Sequence, residues 1–236
     1  MTTYAEPARH VYLHPPLDEH HRDGVASMVG LLGVNAGGRV IELGAGSGRF
    51  TEALLDLRLR VLAIEPDPVL FADLRGRLSG REGIAFHQGT IENVSDDDLG
   101  SAQAVVGFHV LHHLDRNSLE SLADRLRGEQ GREDFKGFAF LEPNPWSPLF
   151  PIQIALTPGM RFREERGLWG NDYRAVFASR GATIGTLGHQ GLVPPPLARL
   201  LPKSFLPRMA LHTRRAQPLY LYRVIGHALS PRAVVA

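Results

Sequence analysis

The stretch Val40-Ile41-Glu42-Leu43-Gly44-Ala45-Gly46-Ser47-Gly48 restricts this chain to a small set of folds. A β-branched and apolar run, 39–43, meets three glycines at alternate positions, and Phe50, Ala53, Leu54 and Leu57 then recur at helical period. A strand that turns into a helix through glycines leaves bare backbone for a ligand, because no Cβ stands in the way. The helix start adds N–H groups that lack a partner inside the helix. Such a turn suits a nucleotide-type ligand.

The glycine spacing narrows the choice. Dinucleotide-binding turns follow G-x-G-x-x-G, with the pyrophosphate on the helix N-terminus. Here Gly44, Gly46 and Gly48 follow G-x-G-x-G, and Arg49 stands where the third dinucleotide glycine belongs. Glu42, just before the turn, would repel a diphosphate and suits a cationic ligand. The next apolar run, 61–64, ends at Glu65, 21 residues after Gly44. A carboxylate there can accept from both hydroxyls of a ribose. Two carboxylates around a ribose-bearing ligand with no phosphate seat favour S-adenosylmethionine over NAD.

Helical and strand patterns alternate beyond this point. Val25, Met28, Val29 and Leu32 give one helix face, and 35–38 turns into the first strand. Asp67 and Pro68 announce a helix carrying Leu70, Leu74 and Leu78. Short strands are predicted at 84–87, 104–108 and 137–141, with a capping-box-like helix start at Asn117 and Glu120. A helix over 172–179, a strand over 182–187 and a closing strand over 219–225 complete the pattern. Alternation of this kind predicts an α/β fold with a parallel, doubly wound sheet.

With 236 residues the chain suits one well-buried domain. Within residues 1–236 we expect an N-terminal lid and helix over 1–34 and a cofactor-binding half over 35–142. Substrate-capping insertions with the sixth strand follow over 143–218, then a closing strand and tail over 219–236. Cysteine is absent, which excludes disulfides, thiolate zinc sites and a cysteine nucleophile, and suits a reducing cytoplasm. No apolar run is long enough for a membrane span, and residues 1–14 lack a signal-peptide pattern. A cytoplasmic location is therefore expected. The net charge of +1 hides an asymmetry: residues 1–150 sum to −8 and 151–236 to +9. That basic half attracts an anionic substrate, carrier or membrane face, or else shields apolar helices with arginine stems.

Three pieces in order, Glu42 to Gly48, Ile64-Glu65-Pro66 and Val110-Leu111-His112-His113-Leu114, give the chain a resemblance. It resembles the class I S-adenosylmethionine-dependent methyltransferases of small-molecule type over roughly residues 25–142. The resemblance implies a Rossmann-like, doubly wound, seven-stranded and mostly parallel sheet. Its last strand is antiparallel, and helical and loop insertions lie over the ligand end. It implies that Glu42, Gly44, Ala45, Gly46 and Gly48 hold the methionine end and the turn, and that Glu65 with Pro66 holds the ribose. Thr90 with Ile91 would meet the adenine edge, and the Phe108 backbone would lie near the sulfonium arm. The family usually carries an acid after glycine at the adenine position; here Gly89 is followed by Thr90.

Methyl transfer from a sulfonium is an in-line displacement that alignment and exclusion of water can drive without an acid or base. A base helps when the nucleophile is a phenol, hydroxyl, acidic carbon or protonated amine. His112, then His113 and His109, are the candidates, since histidine titrates near neutrality and the resemblance puts this segment beside the donor methyl. Each could instead cap the helix or pack beneath the cofactor. His109 and His113 would share a helix face if the helix began early, but no third ligand follows and no metal is expected. Asn144-Pro145-Trp146 is read as a turn shaping the pocket. Trp146, Phe150, Phe162 and Trp169 either line an aromatic or lipid-like substrate site or form a small core. Tyr4, His10, Tyr12, His14, His20 and His21 form a lid or an unordered terminus, and 197–215 a substrate cap or else a peripheral contact with a membrane or an acyl carrier. The expected activity is methyl transfer to oxygen, nitrogen or carbon of a small molecule. The alternatives are an RNA- or protein-directed methyltransferase and a non-catalytic S-adenosylmethionine-binding protein.

Overall fold

The computed structural model describes residues 17, 19–162, 165, 172–191 and 220–228. Helix α1 (Glu19–Leu32) buries Val25, Met28, Val29 and Leu32 and leads through a turn into β1 (Arg39–Leu43). The order continues α2 (Arg49–Asp56), β2 (Arg60–Glu65), α3 (Pro68–Leu78), β3 (Ile84–Gln88), α4 (Asp96–Gly100) and β4 (Ala104–Phe108). Then come α5 (Arg116–Glu129), β5 (Gly137–Pro143), α6 (Phe150–Leu156), α7 (Tyr173–Ser179), β6 (Gly185–Gln190) and β7 (Tyr222–Ala228). Short 3-10 turns at Ile91–Asn93 and Leu111–His113 follow β3 and β4.

The seven strands form one sheet in the order β3-β2-β1-β4-β5-β7-β6. Strands β1 to β5 pair in parallel, whereas β7 runs antiparallel to both neighbours. The last strand is thus threaded between β5 and β6. Alternation along each strand divides the core into two layers. Val40, Val61, Ala63, Val106 and Leu141 meet the helices α1, α2 and α3. Ile41, Leu62, Ile64, Val105, Phe138 and Phe140 meet α5 and α7 on the other face. Both faces are covered, as a parallel sheet requires, and the expected doubly wound fold is observed.

The boundaries differ where tertiary contacts set them. The sixth strand lies at Gly185–Gln190 rather than 182–187, and the seventh at Tyr222–Ala228 rather than 219–225. Pairing with β5 fixes β7: Pro143 stands opposite Tyr222 and Gly137 opposite Ala228. Within that pairing Gly226 has no room for a side chain, because a Cβ there would come 2.1 Å from the Phe138 carbonyl oxygen. Helix α5 starts earlier than the Asn117 signal, since Asp115 is its cap and accepts from Ser118 N at 2.8 Å. Among the described residues no helix is long and apolar enough to cross a membrane.

Candidate active site

The strand order reverses between β1 and β4, and α/β sheets offer a crevice beyond the carboxyl ends of strands at such a point. A cleft of about 320 Å³ opens there. At one end it is walled by Gly44 to Ser47 and Glu65 to Pro68, and in the middle by Phe108, His109, Val110 and His112 to Leu114. At the other end stand Pro143, Phe150, Gln153, Met160, Glu165 and Tyr222. Phe50 stacks on Phe108 with ring centroids 4.3 Å apart and forms part of the floor.

The glycine turn is built by left-handed backbone. Gly44, Gly46 and Gly48 have φ of 66°, 56° and 88°, a region that costs residues with a Cβ about 1 kcal/mol or more. A Cβ on Gly44 would strike Val110 at 2.6 Å, and one on Gly48 would strike Leu74 at 2.7 Å. At Gly46 a Cβ would meet no atom within 4 Å, so its missing side chain leaves room in the cleft. Glu65 fastens the turn to β2: Oε2 accepts from Gly46 N at 2.8 Å, and Oε1 accepts from Asp67 N at 2.9 Å. Asp67 in turn caps α3 by accepting from Val69 N and Leu70 N. Burial raises the Glu65 pKa, while the Asp67 and Gly46 N–H groups work against that rise.

Glu42 does not stand where the sequence placed it. Its side chain is buried behind the turn, outside the cleft lining, and Oε2 has no hydrogen-bond partner. Burial pushes its pKa up to about 8, the Thr51 side chain works against this, and the charge of Glu65 adds to it. A carboxyl held protonated at neutral pH lends a cation in the cleft little charge. Gly48 lies beneath the turn as the N-cap of α2. Thr90 donates to Asn93 Oδ1 at 3.1 Å, and Ile91 is buried in the core. Neither Thr90 nor Ile91 lines the cleft, whereas Gly44, Ala45, Gly46, Glu65, Pro66 and Phe108 do.

All three histidines line the cleft. His112, the first candidate base, is buried with both ring nitrogens engaged: Nδ1 lies 2.6 Å from Glu142 Oε2, and Nε2 lies 3.2 Å from Glu165 Oε2. Burial alone would favour the neutral ring, but Glu142 and Glu165 together lift its pKa to about 10. An imidazole that keeps its proton at neutral pH donates rather than accepts, which corrects the expectation of a base there. His109 has a left-handed backbone, φ 56°, and its N–H donates to Leu141 O at 2.7 Å. Its ring packs between Tyr222 and Phe50, with centroids 5.2 and 5.9 Å away. Burial and surrounding positive groups hold its pKa well below the usual value, so the ring is neutral. His113 lies against His112, ring centroids 4.0 Å apart.

Glu142, absent from the residues expected from the sequence, organises this region. It is fully buried at the end of β5, where Oε1 accepts from both Val110 N and Leu111 N at 2.9 Å while Oε2 faces His112. The carboxylate thereby fixes the whole turn after β4. A signal existed: Leu141-Glu142-Pro143 repeats Ile64-Glu65-Pro66, an acid at the end of an apolar strand followed by proline. Glu165, Gln153 and Tyr222 had no comparable signal, because they lie on insertions and the last strand. Gln153 Nε2 donates to the Tyr222 hydroxyl at 2.9 Å, tying α6 to β7.

Of the described residues of the expected aromatic wall, Phe150 lines the cleft, packed with Ile154 and Met160 as a small core. Trp146 and Phe162 are exposed and are not among the cleft-lining residues, and Trp169 lies outside the described residues. Asn144 makes the expected turn: Oδ1 accepts from Trp146 N at 3.2 Å, and Nδ2 donates to Tyr220 O at 2.9 Å. His21 belongs to α1 and packs on Phe50 and Tyr222. Tyr4, His10, Tyr12, His14 and 197–215 lie outside the described residues.

Residues 41–128 match the family model for a methyltransferase domain. No curated protein matches the chain. Among solved structures, the methyltransferase domain of bacterial CtHen1 aligns at 16% identity over 89% of this chain and 100% of its own, with a TM-score of 0.56. Human N-acetylserotonin methyltransferase in complex with SAM aligns at 12% identity over 89% of this chain and 51% of its own, TM-score 0.53. A TehB-like SAM-dependent methyltransferase from Corynebacterium glutamicum aligns at 11% identity over 89% of each chain, TM-score 0.51. At these identities the likeness is one of fold. Residues 41–128 thus match a methyltransferase-domain model, and the chain shares the fold of solved S-adenosylmethionine-dependent methyltransferases.

Proposed function

We propose that this enzyme transfers a methyl group from S-adenosylmethionine to a small-molecule acceptor. The observation that carries this reading is one continuous cleft, running from the glycine turn and Glu65 to the wall formed by Phe150, Gln153, Met160 and Tyr222. The residues present fit such a donor. Gly46 leaves room that a Cβ would fill, and Glu65 keeps lone pairs for a diol beyond those that meet Gly46 and Asp67. Arg49 stands where the third glycine of a dinucleotide-binding turn belongs. When bound, the donor supplies an electrophilic methyl on a positively charged sulfur.

The chain's own contribution is placement and a dry site. Phe108, Pro143, Phe150 and Met160 line the path with apolar surface and keep water from the acceptor. Glu142 holds Val110, Leu111 and His112 in one arrangement, so the middle of the cleft has a fixed shape. Where the acceptor must lose a proton, we assign base duty to His113, since His112 already holds a proton and His109 binds one poorly. Calorimetry with S-adenosylmethionine, S-adenosylhomocysteine and NAD tests the donor assignment. Micromolar or tighter binding of the first two, and none of NAD, is expected. A preference for NAD would overturn the reading.

A further inference from the structure

We propose that Glu165 recognises the acceptor through a basic nitrogen on an otherwise apolar molecule, an assignment that rests on the methyltransferase reading above. Two carboxylates, Glu142 and Glu165, share the single ring of His112 at 2.6 and 3.2 Å, and all three side chains are at most 4% exposed. One imidazolium neutralises one carboxylate, so the cluster keeps one negative charge in excess. That excess does not rest on Glu142, which also receives the Val110 and Leu111 N–H groups and lies outside the cleft lining. It rests on Glu165, which holds the longer contact and faces the cleft.

A buried carboxylate with incomplete neutralisation is costly until a cation or hydrogen-bond donor meets it. Among the described residues, Phe150, Gln153, Met160 and Tyr222 of the cleft lining carry no positive charge, and the neutral donors Gln153 and Tyr222 hydrogen-bond to each other. An apolar pocket with one charged anchor selects a ligand of apolar body and opposite charge. The anchoring nitrogen need not be the atom that takes the methyl. Arg49, also in the lining, extends over the Phe50 ring with its guanidinium carbon 5.8 Å from the centroid. An acidic acceptor would be drawn to Arg49 instead, so the sign of the preferred ligand decides between the two side chains.

The test uses the full-length protein saturated with S-adenosylhomocysteine and titrated calorimetrically with 2-phenylethylamine and with 3-phenylpropanoate. The amine is expected to bind at least tenfold more tightly than the acid. Glu165→Gln should bring the two within about twofold while leaving affinity for S-adenosylhomocysteine unchanged, and Glu165→Asp should keep the amine preference. Tighter binding of the acid, binding of neither probe, or an intact preference in Glu165→Gln overturns the assignment. Failure of S-adenosylhomocysteine itself to bind is a separate result and refutes the methyltransferase reading.

Discussion

Replacing Glu142 by alanine should destabilise this protein more than any other single loss of a polar side chain in the site. The change strands three groups at once: the part-buried N–H of Val110, the buried N–H of Leu111 and the buried Nδ1 side of His112. Breaking a buried ion pair from one side costs about 3–5 kcal/mol, and each stranded donor about 1–3 kcal/mol. The losses do not add in full, because His112 can shed its proton and water can enter the vacated space. A total of about 4–6 kcal/mol follows from these ranges, against a typical domain stability of about 5–15 kcal/mol. Glu142→Gln keeps an oxygen for both N–H groups but replaces the charge and the acceptor facing His112 with an NH2, so its cost is about 2 kcal/mol. Urea unfolding followed by far-ultraviolet circular dichroism reads both. With an m-value of about 2 kcal/mol/M, the midpoints should fall by about 2–3 M and about 1 M. A Glu142→Ala protein within 1 kcal/mol of the wild type would refute the claim that this carboxylate holds the turn together.

Two predictions concern pH. His112 keeps its proton to about pH 10 when folded, against an ordinary 6.5, so its stabilisation is complete below 6.5 and is lost as pH rises through 10. Urea midpoints at pH 6, 8 and 10 should therefore decline, and His112→Gln should flatten that decline; a parallel decline in the variant would sink the assignment. Glu42, raised from 4.5 to about 8, also favours the folded state only while protonated, and that contribution disappears as pH rises from 4.5 through 8. Glu42→Gln should accordingly be more stable than wild type above pH 8, and a variant less stable there would contradict the burial argument. For the donor end, Glu65→Ala should weaken S-adenosylhomocysteine binding at least tenfold, about 1.4 kcal/mol, and unchanged affinity by calorimetry would remove Glu65 from the site.

The strand-turn-helix at Gly44 to Gly48, the alternation of elements and the acid ending β2 are local patterns, so the amino-acid order alone revealed the class of fold and the place of the cleft. Periods of two and of about 3.6 residues are written in the chain, as are glycines that must adopt positive φ. The family model and the fold of solved methyltransferases agree with that reading. Electrostatic roles were decided elsewhere. Glu42 looks in the sequence like a partner for a cation, yet the packing of α2 against β1 buries it behind the turn and leaves it protonated. His112 looks like a base, yet Glu142, 30 residues later, and Glu165, on an insertion, close on its two nitrogens. The ends of β6 and β7 likewise depend on pairing with β5, which no local pattern encodes. Local sequence fixes backbone conformation because its causes lie within a few residues. Protonation and partner choice depend on charges brought together from distant strands, and folding alone brings them together.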